Sequence, residues 1–114
     1  MKILSYNIHR CSQEKIDYVL SRGADIMVLP ECACPEQVTL PDGYAMTWQG
    51  DDATKWKGLG VIWKRTIRCR VADWYDDSHK YMIPLIIEDK WLLLAAWPTM
   101  LPTETKSYPQ ILLD

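Results

Sequence analysis

The start of the chain alternates between short apolar runs and a helical pattern, and this order limits the fold more than any other feature. Residues 3–8 and 26–29 are apolar runs that predict strands. Between them, Ser12 suits a helix N-cap and Gly23 suits the position just after a helix. A strand–helix–strand order with short connections predicts parallel strands. The carboxyl ends of both strands should therefore lie at one edge of a sheet.

Each of these strands ends at a residue that carries a side-chain oxygen. Asn7 lies in SYNIHR and Glu31 in DIMVLPE. In proteins Mg²⁺ takes oxygen ligands, usually from one or two carboxylates, and keeps several waters. An amide and a carboxylate at one sheet edge therefore indicate a site for Mg²⁺ or Mn²⁺, which would polarise a phosphoryl oxygen. The alternative is that two polar side chains only cap strand ends.

Strand patterns dominate the rest of the chain, and they lie at residues 44–48, Gly58–Lys64, 67–74, 81–87 and 91–97. A final helix is expected from Thr103. We expect one domain over residues 1–114 of α/β (α+β) class, with one mixed β-sheet and helices on one face. The thirteen basic and fifteen acidic residues give a net charge of −2, which argues against a cationic nucleic-acid clamp.

The segments MKILSYNIHRC, DIMVLPEC and GLGVIWK, in this order, resemble the opening of the endonuclease/exonuclease/phosphatase family. Its members are metal-dependent phosphodiesterases and phosphatases related to the AP endonucleases and DNase I. The resemblance implies the N-terminal half of a DNase I-like sandwich. It also implies that Asn7 and Glu31 are catalytic residues that hold the metal, Mg²⁺ or Mn²⁺. Pro30 departs from the family pattern, in which Gln is commoner.

The second half of the family's domain has no counterpart in this sequence. Its Gly-Asp-Phe-Asn and Ser-Asp-His segments are absent, and Trp97 stands near the position where the family often has a histidine. His79 is expected to be a surface residue. We therefore expect a truncated phosphoesterase or nuclease of weak or no activity, with low metal occupancy. The alternative is a non-catalytic, self-associating half-domain or interaction module.

The expected substrate is a phosphate ester, and nucleic acid is one class that the sequence leaves open. His9 and Trp56 are the residues expected to contact it. Trp56 lies in the polar segment TKWKG, whereas the other five tryptophans lie in strand patterns, and most of these are expected to be packed. Trp56 is therefore the best candidate for an exposed aromatic contact.

The cysteines raise a third, weaker possibility, which is a small zinc module. Cys11, Cys32 and Cys34 together with His9 offer ligands for tetrahedral zinc, although the Cys-x-Cys spacing is tight. The alternative is that they are small buried apolar groups.

We find no secretory leader pattern and no apolar run of membrane-spanning length, so we expect a cytoplasmic protein with free thiols and no membrane partner.

The apolar strands also predict self-association. Residues 26–29, Met82–Ile87 and 92–96 are almost continuously apolar, a pattern typical of strands that are buried on both faces. Helices are expected to cover one face of the single sheet. The other face would leave an apolar patch larger than monomers usually expose. We therefore expect a homodimer that is formed through that exposed sheet face.

Overall fold

The computed structural model describes residues 1–76 and 81–97 of the chain. Within them lie one α-helix and seven strands, with short 3₁₀ turns at Pro35–Gln37 and Asp52–Thr54. The elements in chain order are β1 (Ile3–Ser5), α1 (Gln13–Ser21), β2 (Ile26–Cys32), β3 (Tyr44–Gln49), β4 (Gly58–Lys64), β5 (Cys69–Val71), β6 (Met82–Ile87) and β7 (Trp91–Ala96). Mixed α and β structure is confirmed. The helix expected from Thr103, and His79, lie outside the described residues.

The strands form two sheets rather than the single sheet that the sequence predicted. A mixed four-stranded sheet has the order β1-β2-β4-β3, and an antiparallel three-stranded sheet has the order β5-β6-β7. The chain turns after β4, where the Ile67 N–H donates to the Lys64 carbonyl over 3.0 Å, and β5 pairs with β6 instead. The single-sheet prediction is wrong because an apolar pattern identifies a strand but not its partner.

The parallel start of the chain is confirmed. Strand β1 pairs with β2, with Ile3 opposite Ile26. Between them the Ser12 side chain caps α1 by accepting from the Lys15 N–H over 3.3 Å. Gly23 follows the helix with a φ of +74°, a conformation that glycine adopts without strain.

The two sheets pack face to face, and α1 covers the outer face of the larger one. On the helix side, Ile16 and Val19 of α1 pack with Met27 of β2 and Ile62 of β4. On the other side, residues of β2 and β4 pack with residues of β6 and β7, including Val28, Val61, Ile83, Leu85 and Ala95. The result is three layers, helix on sheet on sheet, and the prediction that residues 26–29 are buried on both faces is confirmed.

This second sheet changes the premise of the predicted dimer. The sheet face that was expected to need a partner molecule is covered by strands of the same chain. The apolar surface that remains exposed lies on β7 instead, where Trp91, Leu92 and Leu94 are 60%, 60% and 52% exposed. The prediction that residues 92–96 are buried on both faces is therefore wrong. No helix of the described part of the chain is long and apolar enough to span a membrane.

Candidate functional site at the carboxyl ends of β1 and β2

The pairing of β1 with β2 continues past the end of β1 and brings three candidate residues together. The Tyr6 N–H donates to the Val28 carbonyl and the Ile8 N–H to the Pro30 carbonyl, each over 3.0 Å. Ile8 is fully buried, whereas its neighbours Asn7 and His9 are exposed. This alternation follows from the extended backbone, in which successive side chains point to opposite sides.

Glu31 is placed by an irregularity in β2. Leu29 lies opposite Gly60 and Cys32 opposite Gly58, so Pro30 and Glu31 together face a single residue of β4. Such a bulge changes the direction of a side chain. Proline, which has no backbone N–H, is tolerated there because the ladder of hydrogen bonds between strands is interrupted at a bulge. Glu31 has a φ of +61°, an uncommon conformation for a residue with a side chain. The backbone therefore carries local strain at this carboxylate, as is frequent at functional sites.

Asn7, His9 and Glu31 form one hydrogen-bonded group, which we call the rim. His9 Nδ1 lies 2.8 Å from Glu31 Oε2, and Asn7 Nδ2 lies 3.5 Å from Glu31 Oε1. The Asn7 side-chain oxygen accepts from the His9 backbone N–H over 3.0 Å. The expected meeting of Asn7 and Glu31 is thus found. Their roles as metal ligands and catalytic residues stay predictions.

The rim keeps Glu31 ionised. The hydrogen bond from His9 is the main cause that lowers the pKa of the Glu31 carboxyl; partial burial opposes it, and the Asn7 amide and the charge of Lys57 lower the pKa further. A carboxylate that is ionised at neutral pH is what a divalent cation needs.

The rim offers few side-chain donors for a cation. One carboxylate and one amide are present, and among residues 1–76 and 81–97 no group of three or more His, Cys, Asp or Glu side chains could hold a metal ion. Magnesium bound by one carboxylate and several waters is compatible with such a set. The Asn7 side chain presents its amide nitrogen to Glu31. Its amide oxygen would reach a cation beside Glu31 only after the amide group rotates, and that rotation would break the hydrogen bond from the His9 backbone N–H.

A cleft of about 220 Å³ opens beside the rim, lined by His9, Arg10, Glu31, Trp56 and Lys57. The structure therefore brings both expected substrate-contact residues, His9 and Trp56, to the same opening as Glu31. Trp56 is 61% exposed, as expected. Sequence reasoning missed the two basic residues. The sequence did contain an indication of them, because Arg10 directly follows His9 and Lys57 directly follows Trp56.

The other tryptophans divide into packed and exposed ones. Trp48 donates from Nε1 to the Cys32 carbonyl over 2.8 Å, and Trp97 is buried with its ring 4.9 Å from that of Tyr81. Trp74 and Trp91 are 63% and 60% exposed, so Trp56 is not the exception that the sequence suggested. Exposure alone therefore does not mark Trp56; its place in the cleft does.

The cysteines do not form the zinc site considered above. Cys32 and Cys34 are buried, and all four cysteines are free thiols. No grouping of three or more metal-binding side chains exists in the described ranges, so the buried-thiol alternative fits better. Burial raises the pKa of Cys69 to about 11.

Cys11 packs against the apolar cluster that contains Cys32. The Cys32 side chain is the main cause that lowers the pKa of Cys11 to about 6; partial burial opposes this shift, and the Ala33 backbone and the charge of Lys15 add to it. The Cys11 side chain and burial raise the pKa of Cys32.

Comparison with known proteins gave no match to this chain among protein-family models, curated proteins or solved structures. The family resemblance therefore depends on the three sequence segments and stays a prediction.

Proposed function

We propose that this chain is a metal-dependent phosphoesterase of the endonuclease/exonuclease/phosphatase type, of low activity, that acts on a phosphate ester in the cleft beside Glu31. The observation that carries the proposal is the combination found there. Glu31, whose backbone is strained and whose carboxylate is ionised, lies at the end of a parallel strand pair. It shares one cleft with the basic side chains of Arg10 and Lys57 and with the exposed indole of Trp56. Nucleic acid is one substrate class that fits the proposal.

Each residue of the cleft has a chemical task in this proposal. Glu31, with the Asn7 amide, would hold Mg²⁺ or Mn²⁺, which when bound polarises a phosphoryl oxygen. Arg10 and Lys57 offset the charge of the ester, and Arg suits the paired oxygens of a phosphate. Trp56 provides a face for an aromatic leaving group or base. His9 holds the Glu31 carboxylate in place by its hydrogen bond.

The low activity follows from the groups available to move protons. The chain has two histidines, and the one in the described residues, His9, is bound to Glu31. A well-placed general acid or base contributes about a hundred- to ten-thousand-fold to a rate. The family segments that would supply a second such group have no counterpart in the sequence, so turnover should stay far below that of an enzyme that carries both. A cytoplasmic location is part of the proposal, and the four free thiols accord with a reducing compartment.

The test is hydrolysis of bis(p-nitrophenyl) phosphate by the full chain with and without Mg²⁺, compared with Glu31→Gln and Asp89→Asn. Asp89 is a suitable control because it lies far from the rim. It belongs to the hairpin between β6 and β7. The neighbouring Trp91 lines a groove together with Met1, at the opposite end of β1 from the rim. We expect slow, Mg²⁺-dependent turnover that is lost in Glu31→Gln and kept in Asp89→Asn. Turnover that is equal in both variants would remove Glu31 from the mechanism.

A second function, self-association, is favoured by one observation, the exposed apolar side of β7. This strand is the edge of its sheet in the described part of the chain, and it contains no charged residue, proline or bulge that would discourage pairing. The occupant that we propose is a second copy of this chain, because two antiparallel β7 strands related by a two-fold axis would each provide the same leucines. This dimer uses a different surface from the one first expected.

Sedimentation equilibrium tests the dimer with Leu94→Glu and a matched control, Tyr18→Glu on α1. Both side chains are about half exposed, at 52% and 56%. We expect a dimer at micromolar concentration for the unaltered chain and for Tyr18→Glu, and a monomer for Leu94→Glu. A monomeric unaltered chain would rule out the dimer.

A further inference from the structure

Trp97 connects the second sheet to the cleft beside Glu31. It directly follows β7, is only 7% exposed, and belongs to the apolar core between the two sheets. Its ring lies edge to face with that of Tyr81 at a centroid distance of 4.9 Å, and its backbone N–H donates to the Tyr81 carbonyl over 2.8 Å. Packing and this hydrogen bond together fix the position of the indole ring.

Tyr81 is in turn tied to the larger sheet. Its backbone N–H donates to the side-chain oxygen of Gln49, which is the last residue of β3 and is buried. Tyr81 itself directly precedes β6 in the second sheet. The Trp97 ring is therefore supported by contacts that reach both sheets, and a ring held in this way provides a fixed surface for a flexible side chain.

Lys57 has that flexible side chain. Its ammonium nitrogen lies over the Trp97 ring, 5.7 Å from the ring centroid, and the residue also lines the cleft together with Glu31. An indole face attracts a cation at such a distance. Lys57 is exposed, and a lysine side chain has many rotamers, so the attraction of the ring restricts where the ammonium group lies.

A second pair of the same kind provides a comparison. Lys90 Nζ lies 5.5 Å from the ring centroid of Trp91, at the hairpin between β6 and β7. Trp91 is 60% exposed and lines the groove at the opposite end of β1 from the rim. Loss of the Trp91 ring therefore removes an indole face from a lysine without a change near the cleft.

We propose that Trp97 is a positioning residue that holds the Lys57 ammonium group at the cleft and thereby strengthens the binding of a phosphate group there. The identity of the ligand rests on the proposed phosphoesterase function, whereas the placement of Lys57 by Trp97 does not. All five residues that line the cleft precede β4 in the chain. Through Trp97, the second sheet contributes to binding in the cleft as well.

Proton chemical shifts of the Lys57 side chain test its placement. Protons that lie over an indole face are shifted upfield by the ring current. In the uniformly labelled full-length chain, we expect the Lys57 Hε signals upfield of those of Lys55, whose Nζ lies 3.9 Å from the Glu36 carboxylate instead. Lys57 Hε signals at the position of the Lys55 signals would overturn the proposal.

Three variants sharpen this test. Trp97→Leu should abolish the upfield shift, Trp97→Phe should retain part of it because an aromatic face remains, and the control Trp91→Leu should leave it unchanged. An upfield shift that survives in Trp97→Leu would contradict the role of the ring. Because Trp97→Leu removes a buried ring, the comparison within the unaltered chain is decisive if this variant does not fold.

Titration with inorganic phosphate in the absence of Mg²⁺, followed by the amide signals of Arg10 and Lys57, tests the consequence for binding. A cation–π contact at an exposed site changes an equilibrium by about two- to fivefold. Trp97→Leu should weaken phosphate binding by that factor, Trp97→Phe should restore most of the affinity, and Trp91→Leu should match the unaltered chain. Equal affinity in folded Trp97→Leu and the unaltered chain, or no binding by the unaltered chain, would overturn the proposal.

Turnover of bis(p-nitrophenyl) phosphate is a separate measurement that distinguishes the two proposals. A phosphate affinity that depends on Trp97, in a chain without turnover, would support this inference and remove the phosphoesterase proposal. Turnover with a phosphate affinity that does not depend on Trp97 would have the opposite meaning.

Discussion

Two strands of similar apolar sequence, β2 and β7, have opposite surroundings. The first four residues of β2, IMVL, are buried because α1 covers one face of their sheet and the three-stranded sheet covers the other. In β7, WLLLAA, four of six residues are exposed because β7 is at a sheet edge and only its inner face is covered. An apolar run therefore predicts a strand, but its neighbours decide how many faces are buried.

The same contrast separates the polar rim at the end of β2 from the exposed apolar surface of β7. Strand β2 ends with the bulge that presents Glu31. Strand β7 is followed by Trp97, which packs against Tyr81. Polar groups thus collect where the doubly covered strand reaches solvent, and the proposed self-association concerns the strand that is covered once.

The largest expected effect that tests this contrast comes from matched leucine truncations. Leu29→Ala in β2 removes a fully buried side chain and should lower the free energy of unfolding by about 2–5 kcal/mol. Leu92→Ala in β7 removes a side chain that is 60% exposed, and in the monomer it should cost less than about 0.5 kcal/mol. Urea denaturation at low protein concentration gives both values. Similar losses of stability in the two variants would contradict the exposure of Leu92 on β7.

The next effect concerns the close packing of β4, the neighbour of β2. A Cβ at Gly58 would lie 2.5 Å from the Trp48 ring and 2.7 Å from the Gln49 carbonyl oxygen, whereas a Cβ at Gly43 would meet nothing within 4 Å. Gly58→Ala should therefore cost about 1–3 kcal/mol through overpacking. Gly43→Ala should change stability by less than about 0.5 kcal/mol. Thermal unfolding of both variants checks this, and equal melting temperatures would contradict the packing of Trp48.

The smallest effect is a dependence on pH that belongs to the rim and not to β7. The folded pKa of Glu31 is lowered, so its contribution to stability is present above the unfolded pKa of about 4.3 and is lost as the pH falls through the folded value. Glu31→Gln should therefore cost under about 1 kcal/mol near pH 6, and this cost should vanish in strong acid. The Leu92→Ala cost should stay constant across the same range. A Glu31→Gln cost that grows in acid would contradict the lowered pKa.

Much of the fold near the rim was predictable because its signals are local. Ser12 and Gly23 bound the helix, and the strand–helix–strand order fixes parallel strands whose ends meet. The approach of Asn7 to Glu31 follows from that order. The bulge at Glu31 also had a local signal that was missed, because Pro30 inside a strand marks an irregularity.

The remaining features depend on long-range packing, which a local pattern does not contain. The second sheet forms because β5 leaves β4 and pairs with β6, and no residue in those strands specifies that choice alone. Lys57 reaches the cleft only because β4 lies beside β2.

The measurement that tests the central claim most directly is the effect of Mn²⁺ on the amide spectrum of the ¹⁵N-labelled chain. A bound paramagnetic ion broadens the signals of nearby amides, so it locates the site without any assay of activity. We predict that substoichiometric Mn²⁺ broadens the amides of Asn7, His9 and Glu31 first, that excess Mg²⁺ restores them, and that Glu31→Gln abolishes the effect. Broadening centred on another acidic segment, such as Asp51 and Asp52, with the rim unaffected, would contradict the assignment of the rim as the cation site.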